Sequence, residues 1–198
     1  MRYLLTIFLI CGAMVASAQS YLPEYVQHRN TVNYSDHYIT FFVRPLKEDI
    51  IPDPQRRYYW YSANDVRSTQ GGFSGKLLNG PYSDFYKNKQ LKEQGNFIAG
   101  LKTGNWRSWM DNGVLKEDSR WRKGLQSGPS LKYDNSGRLT SRARYSNGRL
   151  HGKNILHEGA DSTRVVHYKR GEEYTPKPVV PGFIRKVFKG KDKRGEKP

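Results

Sequence analysis

A 24-residue period constrains this chain more than any other feature. Phe73, Phe97, Trp121 and Tyr145 stand 24 apart and are all aromatic, and Gly80, Gly104, Gly128 and Gly152 keep the same spacing. Gly100, Gly124 and Gly148 make a third column, Leu91, Leu115 and Leu139 a fourth, and Phe85, Trp109 and Tyr133 a fifth that His157 continues. The period reaches back through Tyr58, Tyr82 and Trp106, and forward to Tyr168 and Gly171 after a one-residue deletion. Several columns in one register mean a stack of like units, none of which buries a hydrophobic face alone.

One unit tells which element repeats. Asn105 to Met110 reads as a strand, Asp111-Asn112-Gly113 as a tight turn, and Val114 to Lys123 as the returning strand. Glycine supplies the positive φ of hairpin turns, which accounts for Asn112-Gly113, Ser136-Gly137 and Asn147-Gly148. The two-residue alternation of a strand then sorts the faces. Leu115, Glu117, Ser119 and Trp121 share one face, and Lys116, Asp118, Arg120 and Arg122 the other. A unit later the same faces read Leu139, Ser141, Ala143, Tyr145 and Thr140, Arg142, Arg144, Ser146. The first face is a packing face and the second is polar and increasingly basic. Composition agrees: 36% of residues are hydrophobic but 13% are aromatic, so aliphatic stripes for a helical bundle or a doubly wound sheet are lacking. The expected fold is all-β, an elongated array of antiparallel hairpins.

The best copy reads Gly95-Asn96-Phe97, Gly100, Gly104-Asn105-Trp106, Trp109, Asn112-Gly113, Leu115 and Glu117. This pattern resembles the MORN-repeat variant family, whose members are often labelled antitoxin-like repeat proteins. The resemblance covers roughly residues 58–174. It departs at Lys76 and Lys89, where the pattern has Gly, and at Glu158-Gly159-Ala160, where a clean turn is expected. It implies an elongated hairpin fold and no reaction. In this array Phe73, Phe97, Trp106, Trp109, Trp121 and Tyr145, with Gly80, Gly104, Gly128 and Gly152, are expected to be structural.

The flanks differ in kind. Residues 1–18 predict a cleaved secretory signal: Arg2, an apolar run from Leu4 to Val15, then Ala16-Ser17-Ala18. The chain is therefore expected to be exported, to the periplasm or envelope or beyond the cell. Its one cysteine, Cys11, falls inside that run, so the mature chain carries neither a disulfide nor a Cys-based metal site. Residues 19–57 form an expected N-terminal cap with a strand at 38–43, closed by Pro45. Residues 175–198 begin as a proline-containing linker and end in a basic tail, helical or disordered. In that tail Phe183, Ile184, Val187 and Phe188 stand at helical spacing beside Arg185 and Lys186. The four apolar residues either dock on the last repeat or act as a membrane wedge, with the neighbouring Lys and Arg supplying attraction.

Searching for chemistry returns no constellation. His28, His37, His151, His157 and His167 form no His-Glu-x-x-His pair, and no Gly-x-Ser-x-Gly or phosphate-loop motif is present. The glycines read as turn residues in register. Glu93, Glu117, Asp118 and Asp134 recur with the repeat and read as strand-surface charges. No enzyme, metal or cofactor is expected. Charge is the remaining clue, with 34 Lys and Arg against 18 Asp and Glu, concentrated in the repeats and the tail. That field attracts anionic partners. The favoured reading is a non-catalytic interaction or scaffold module in the envelope, binding a protein through Arg120, Arg122, Arg142 and Arg144, with the tail as a second attachment. The alternatives are a peripheral binder of anionic lipid or glycan surfaces, and an antitoxin- or immunity-type protein. Nucleic acid is disfavoured, because the aromatics lie on the packing face and export removes the context. Nothing in the pattern sets an oligomeric state.

Overall fold

The computed structural model describes residues 29–43, 50–159 and 162–177. The signal expected at 1–18, part of the N-terminal cap and the tail beyond residue 177 lie outside the described residues. The strands, in order, are β1 (Arg29–Asn33), β2 (His37–Val43), β3 (Arg57–Ser62), β4 (Asp65–Gln70), β5 (Lys76–Tyr86), β6 (Leu91–Ile98) and β7 (Leu101–Trp109). They continue with β8 (Leu115–Arg122), β9 (Leu125–Tyr133), β10 (Leu139–Ser146), β11 (Arg149–Leu150), β12 (Gly152–Glu158), β13 (Ser162–Lys169) and β14 (Glu172–Glu173). The chain is all-β, one open antiparallel sheet of consecutive hairpins from β5 onward.

The period is built from two interlocking devices. Each lower turn puts two residues in the left-handed region: Ala99-Gly100, Lys123-Gly124, Asn147-Gly148 and Arg170-Gly171. The glycine amide of each turn donates a hydrogen bond to the carbonyl oxygen of Leu78, Lys102, Gln126 and Leu150 in turn, at 2.7–2.9 Å. Successive turns are thus tied one to the next. Beneath three of the glycines lie Leu77, Leu101 and Leu125, so close that a Cβ on Gly124 would meet Leu101 Cδ2 at 2.8 Å. At the opposite end Asn88 Nδ2 reaches the Asp111 carbonyl and Asn112 Nδ2 the Asn135 carbonyl, a weaker tie in the same direction.

The second device corrects the expectation that all column glycines are turn residues. Gly80, Gly104 and Gly128 sit inside β5, β7 and β9, with φ of 118°, 71° and 113°, and Gly152 opens β12. At each of the first three, three residues face one on the preceding strand. Residues 79–81 oppose Phe42, 104–106 oppose Gly95, and 127–129 oppose Arg120. Such bulges bend and twist the strand, and the left-handed φ they need selects glycine. Across the following strand these glycines pair with the aromatic column: Gly80 with Phe97, Gly104 with Trp121, Gly128 with Tyr145, Gly152 with Tyr168. Phe73 stands outside this pairing and packs on Tyr58, ring centroids 5.7 Å apart.

The core lies at the N-terminal end. β2 alternates buried Ile39, Phe41 and Val43 with more exposed neighbours and pairs with β5, placing Tyr38 on Phe85. The sequence period runs unbroken through Tyr58, yet β3 and β4 leave the main path and cross one face of the sheet. Tyr59 and Tyr61 then press on Phe97 and Phe41, with ring centroids at 4.9 and 5.2 Å. Tyr58 and Trp60 bury their other side against Leu77. The Tyr59 amide donates to the Gly100 carbonyl at 2.8 Å, so the hairpin is anchored to a turn of the array. Phe97 and Trp106 meet edge to face at 5.0 Å, an arrangement favoured by the ring quadrupoles.

The turn ladder predicts a position-specific cost. Gly124→Ala is expected to destabilise the protein by about 1–3 kcal/mol, combining a strained φ with the Leu101 contact. Gly72→Ala, where an added Cβ meets nothing within 4 Å, should stay within about 0.5 kcal/mol of the parent. Denaturant unfolding of the two variants checks both.

Candidate functional site

Strand alternation carries the four expected arginines to one face. Arg120 and Arg122 on β8 and Arg142 and Arg144 on β10 are all exposed, while Trp121 and Ala143 between them turn to the packed face, part-buried and buried. Arg144 stands opposite Pro129 and Arg142 opposite Leu131 on the intervening strand. A shallow depression of about 280 Å³ brings Asn105, Asp118, Arg120, Pro129 and Leu131 together. Strands two apart are about 10 Å from each other, so Arg120 and Arg144 flank Pro129 at that spacing. Asp118, the carboxylate on this patch, is bound to Arg107 with Nε–Oδ2 at 3.1 Å. None of the four arginines has a side-chain partner among the described residues. Phe183, Ile184, Arg185, Lys186, Val187 and Phe188 lie outside the described residues.

The other face holds a cluster that the sequence reading missed. Lys102 Nζ donates to Glu93 Oε1 at 2.8 Å and lies 3.8 Å from the centroid of the Trp106 ring. Trp121 and Tyr59 complete the enclosure at 5.4 and 5.6 Å. An ammonium so placed gains from the ring faces as well as from the carboxylate. One unit on, the same positions are Glu117 and Gln126, and Glu117 Oε1 accepts from Ser130 Oγ at 3.2 Å. The signal available in the sequence was the nine-residue offset of Glu93–Lys102, repeated as Glu117–Gln126. Every charged group of this cluster has a partner within the fold, so its chemistry is that of a clamp between neighbouring strands. Trp106 seats its ring on Gly95, where no side chain stands in the way, while Trp109 contributes its carbonyl as acceptor for the Tyr86 hydroxyl at 3.0 Å.

Burial displaces several titrating groups on the packed face, Tyr82 and Asp84 among them. The Tyr82 phenol is pushed far above its ordinary value by desolvation, with Asp84 and Glu93 adding to the effect. Asp84 is 6% exposed, its Oδ1 has no hydrogen-bond partner among the described residues, and its Oδ2 is 3.6 Å from Lys92 Nζ. Burial raises its pKa against the pull of Lys92 and His37. Among the described residues no three His, Cys, Asp or Glu side chains gather as a metal site.

No protein-family model, curated protein or solved structure matches the chain.

Lys102→Met is expected to cost about 1–3 kcal/mol, because it leaves Glu93 half-buried and unpaired. Lys116→Met, on the exposed face, should cost less than about 0.5 kcal/mol, and urea titration at neutral pH compares them. For Asp84 the folded pKa is raised, so its contribution is most favourable when protonated and is lost as pH climbs from 3.8 through the folded value. Asp84→Asn should therefore melt higher than the parent at pH 7, with a margin that shrinks as pH falls toward 3.8. Thermal melts across that range read the trend.

Proposed function

We propose that this chain is an exported, non-catalytic binding module whose arginine-bearing sheet face docks on an acidic protein surface in the cell envelope. The observation that carries the reading is the set Arg120, Arg122, Arg142 and Arg144: exposed, on one face, without acidic partners among the described residues, on strands that pair through β9. Four guanidiniums repel one another, and an acidic partner relieves that repulsion while accepting forked hydrogen bonds. Leu131 and Ile155, in the same cross-strand row as Arg142, give the patch a part-buried apolar centre of the kind protein interfaces use. The pairing of strands hairpin by hairpin makes the face long, which suits a scaffold. The repeated hairpins and their Gly and aromatic columns support reading the array as MORN-variant repeats.

The test is a pull-down from solubilised native envelopes with the full chain, at low and high salt, beside the variant Arg120→Glu/Arg142→Glu/Arg144→Glu. A stoichiometric protein that survives high salt with the parent and is absent with the variant is the expected result. Recovery of lipid or polyanion alone, all lost at high salt, would replace this reading with a peripheral surface binder, since screening removes pure charge attraction.

A further inference from the structure

At the lower-turn edge of the array, beside the arginine face, three columns of the repeat end in nitrogen-bearing side chains that meet in one place. Leu77, Leu101 and Leu125 each lie under the glycine of the next turn, but the fourth member of that column is Arg149. Its stem does the leucine's work: a Cβ on Gly171 would meet Arg149 Cβ, Cγ and Cδ at 3.6–3.9 Å. The first turn residue is Ala99, Lys123, then Asn147, and at the last turn Arg170, held at φ 57°. The column Asn79, Thr103, Ser127 ends in His151. Arg149, Arg170 and His151 each put a ring or guanidinium nitrogen into the same cleft, whose volume is about 520 Å³ and whose wall includes Leu125.

A third guanidinium arrives from outside the array. Arg56 lines the cleft, fixed by Asp53 through Nε–Oδ2 at 3.0 Å and by its own donation to the Lys123 carbonyl at 2.8 Å. Asp53 does not line the cleft, and its Oδ1 is taken by the Gln55 amide at 2.8 Å. Among the described residues the lining therefore holds three arginines and a histidine and no carboxylate. Arg149 and Arg170 are exposed and have no side-chain partner among the described residues. Guanidiniums gathered in a concave site without an acid raise the local potential and leave forked donors open.

We propose that this cleft is an oxyanion-binding site for a small organic polyanion, held chiefly by Arg149 and Arg170 with Arg56 as the fixed third donor. The volume fits a small molecule of several oxyanion groups, and Leu125 offers a surface for its carbon skeleton. Carboxylate and phosphate share the chemistry that a guanidinium fork recognises. The cleft adjoins the arginine face, since Leu125 stands opposite Arg122 and Ser146 follows Arg144 on β10, but none of the four arginines of that face lines it.

The experiment is calorimetric titration of the full chain with citrate, glucose 6-phosphate and inorganic phosphate, each at constant ionic strength. Arg149→Leu restores the residue that the column carries elsewhere, and Arg170→Asn copies the turn at Asn147, so both variants keep the fold's own choices. Saturable binding to the parent is expected, weakened about tenfold or more in each variant, as follows from losing a charge-assisted hydrogen bond. The melting midpoint without anion should stay unchanged or rise in Arg149→Leu, while anion raises it in the parent alone. Arg120→Ala/Arg142→Ala should bind as the parent does. Binding of citrate alone assigns carboxylates, and binding of the two phosphates alone assigns tetrahedral oxyanions. Absence of saturable binding to all three probes, or equal binding by parent and both variants, would overturn the proposal.

Discussion

The hydrogen bond from each turn glycine to a carbonyl on the strand that follows the turn before it is the contact on which the rest of the array depends. It fixes how far one hairpin is displaced from the next. It also explains why glycine returns at Gly100, Gly124 and Gly148 in strict period, and at Gly171 even after a one-residue deletion. A hairpin alone is marginal in water. Here every hairpin shares a strand ladder with its neighbours and adds a tie at the turn, so two sets of hydrogen bonds agree on one register. The bulge glycines then set the bend, and because each faces an aromatic side chain across the sheet, bend and packing come from one pairing.

Much of this was legible in the sequence because it repeats. Gly104 and Trp121 belong to columns with one period, so their cross-strand partnership recurs and leaves a trace in every unit. The placement of Gly80, Gly104 and Gly128 within strands was not legible, since a left-handed glycine in a turn and one in a bulge look alike in a string of residues. The departure of β3 and β4 from the main path was also hidden. Tyr58 continues its column with Tyr82 and Trp106, but β2 takes the place beside β5, where Ile39, Phe41 and Val43 bury and Tyr38 stacks on Phe85. That outcome is decided by a non-local competition between two segments for one edge, and no periodicity within either segment reports it. The four arginines were legible through strand alternation alone. Lys102 was not, because a lysine reads as solvated unless its aromatic neighbours are known.

The packed face changes character along the sheet. The column that holds Tyr82 and Trp106 continues as Ser130 and Asn154, so the aromatic filling ends where the β3–β4 hairpin ceases to cover it. From β8 onward the buried residues are Ser119, Ser130, Ala143, Asn154 and Val166, none of them aromatic. Ser119 receives the Trp121 indole N–H at 3.1 Å, and Ser130 serves Glu117. Dispersion and apolar burial thus dominate at one end, and paired hydrogen bonds matter more at the other.

That gradient bears on where cationic residues stand. In the aromatic half a leucine beneath the turn, such as Leu77, closes a core that also holds Tyr58 and Trp60, and a guanidinium there would meet buried rings. At the last turn no such core lies beneath among the described residues. The aliphatic stem of Arg149 is enough to fill the space under Gly171, and its charged end meets solvent at little desolvation cost. The same reasoning separates Lys102 from the exposed arginines. Buried among Tyr59, Trp106 and Trp121, it must have Glu93 beside it. Arg120, Arg142, Arg144, Arg149 and Arg170 keep their hydration and can stand without a carboxylate in the fold. Charges that the structure requires are paired, and those left unpaired lie where their loss would least disturb the packing.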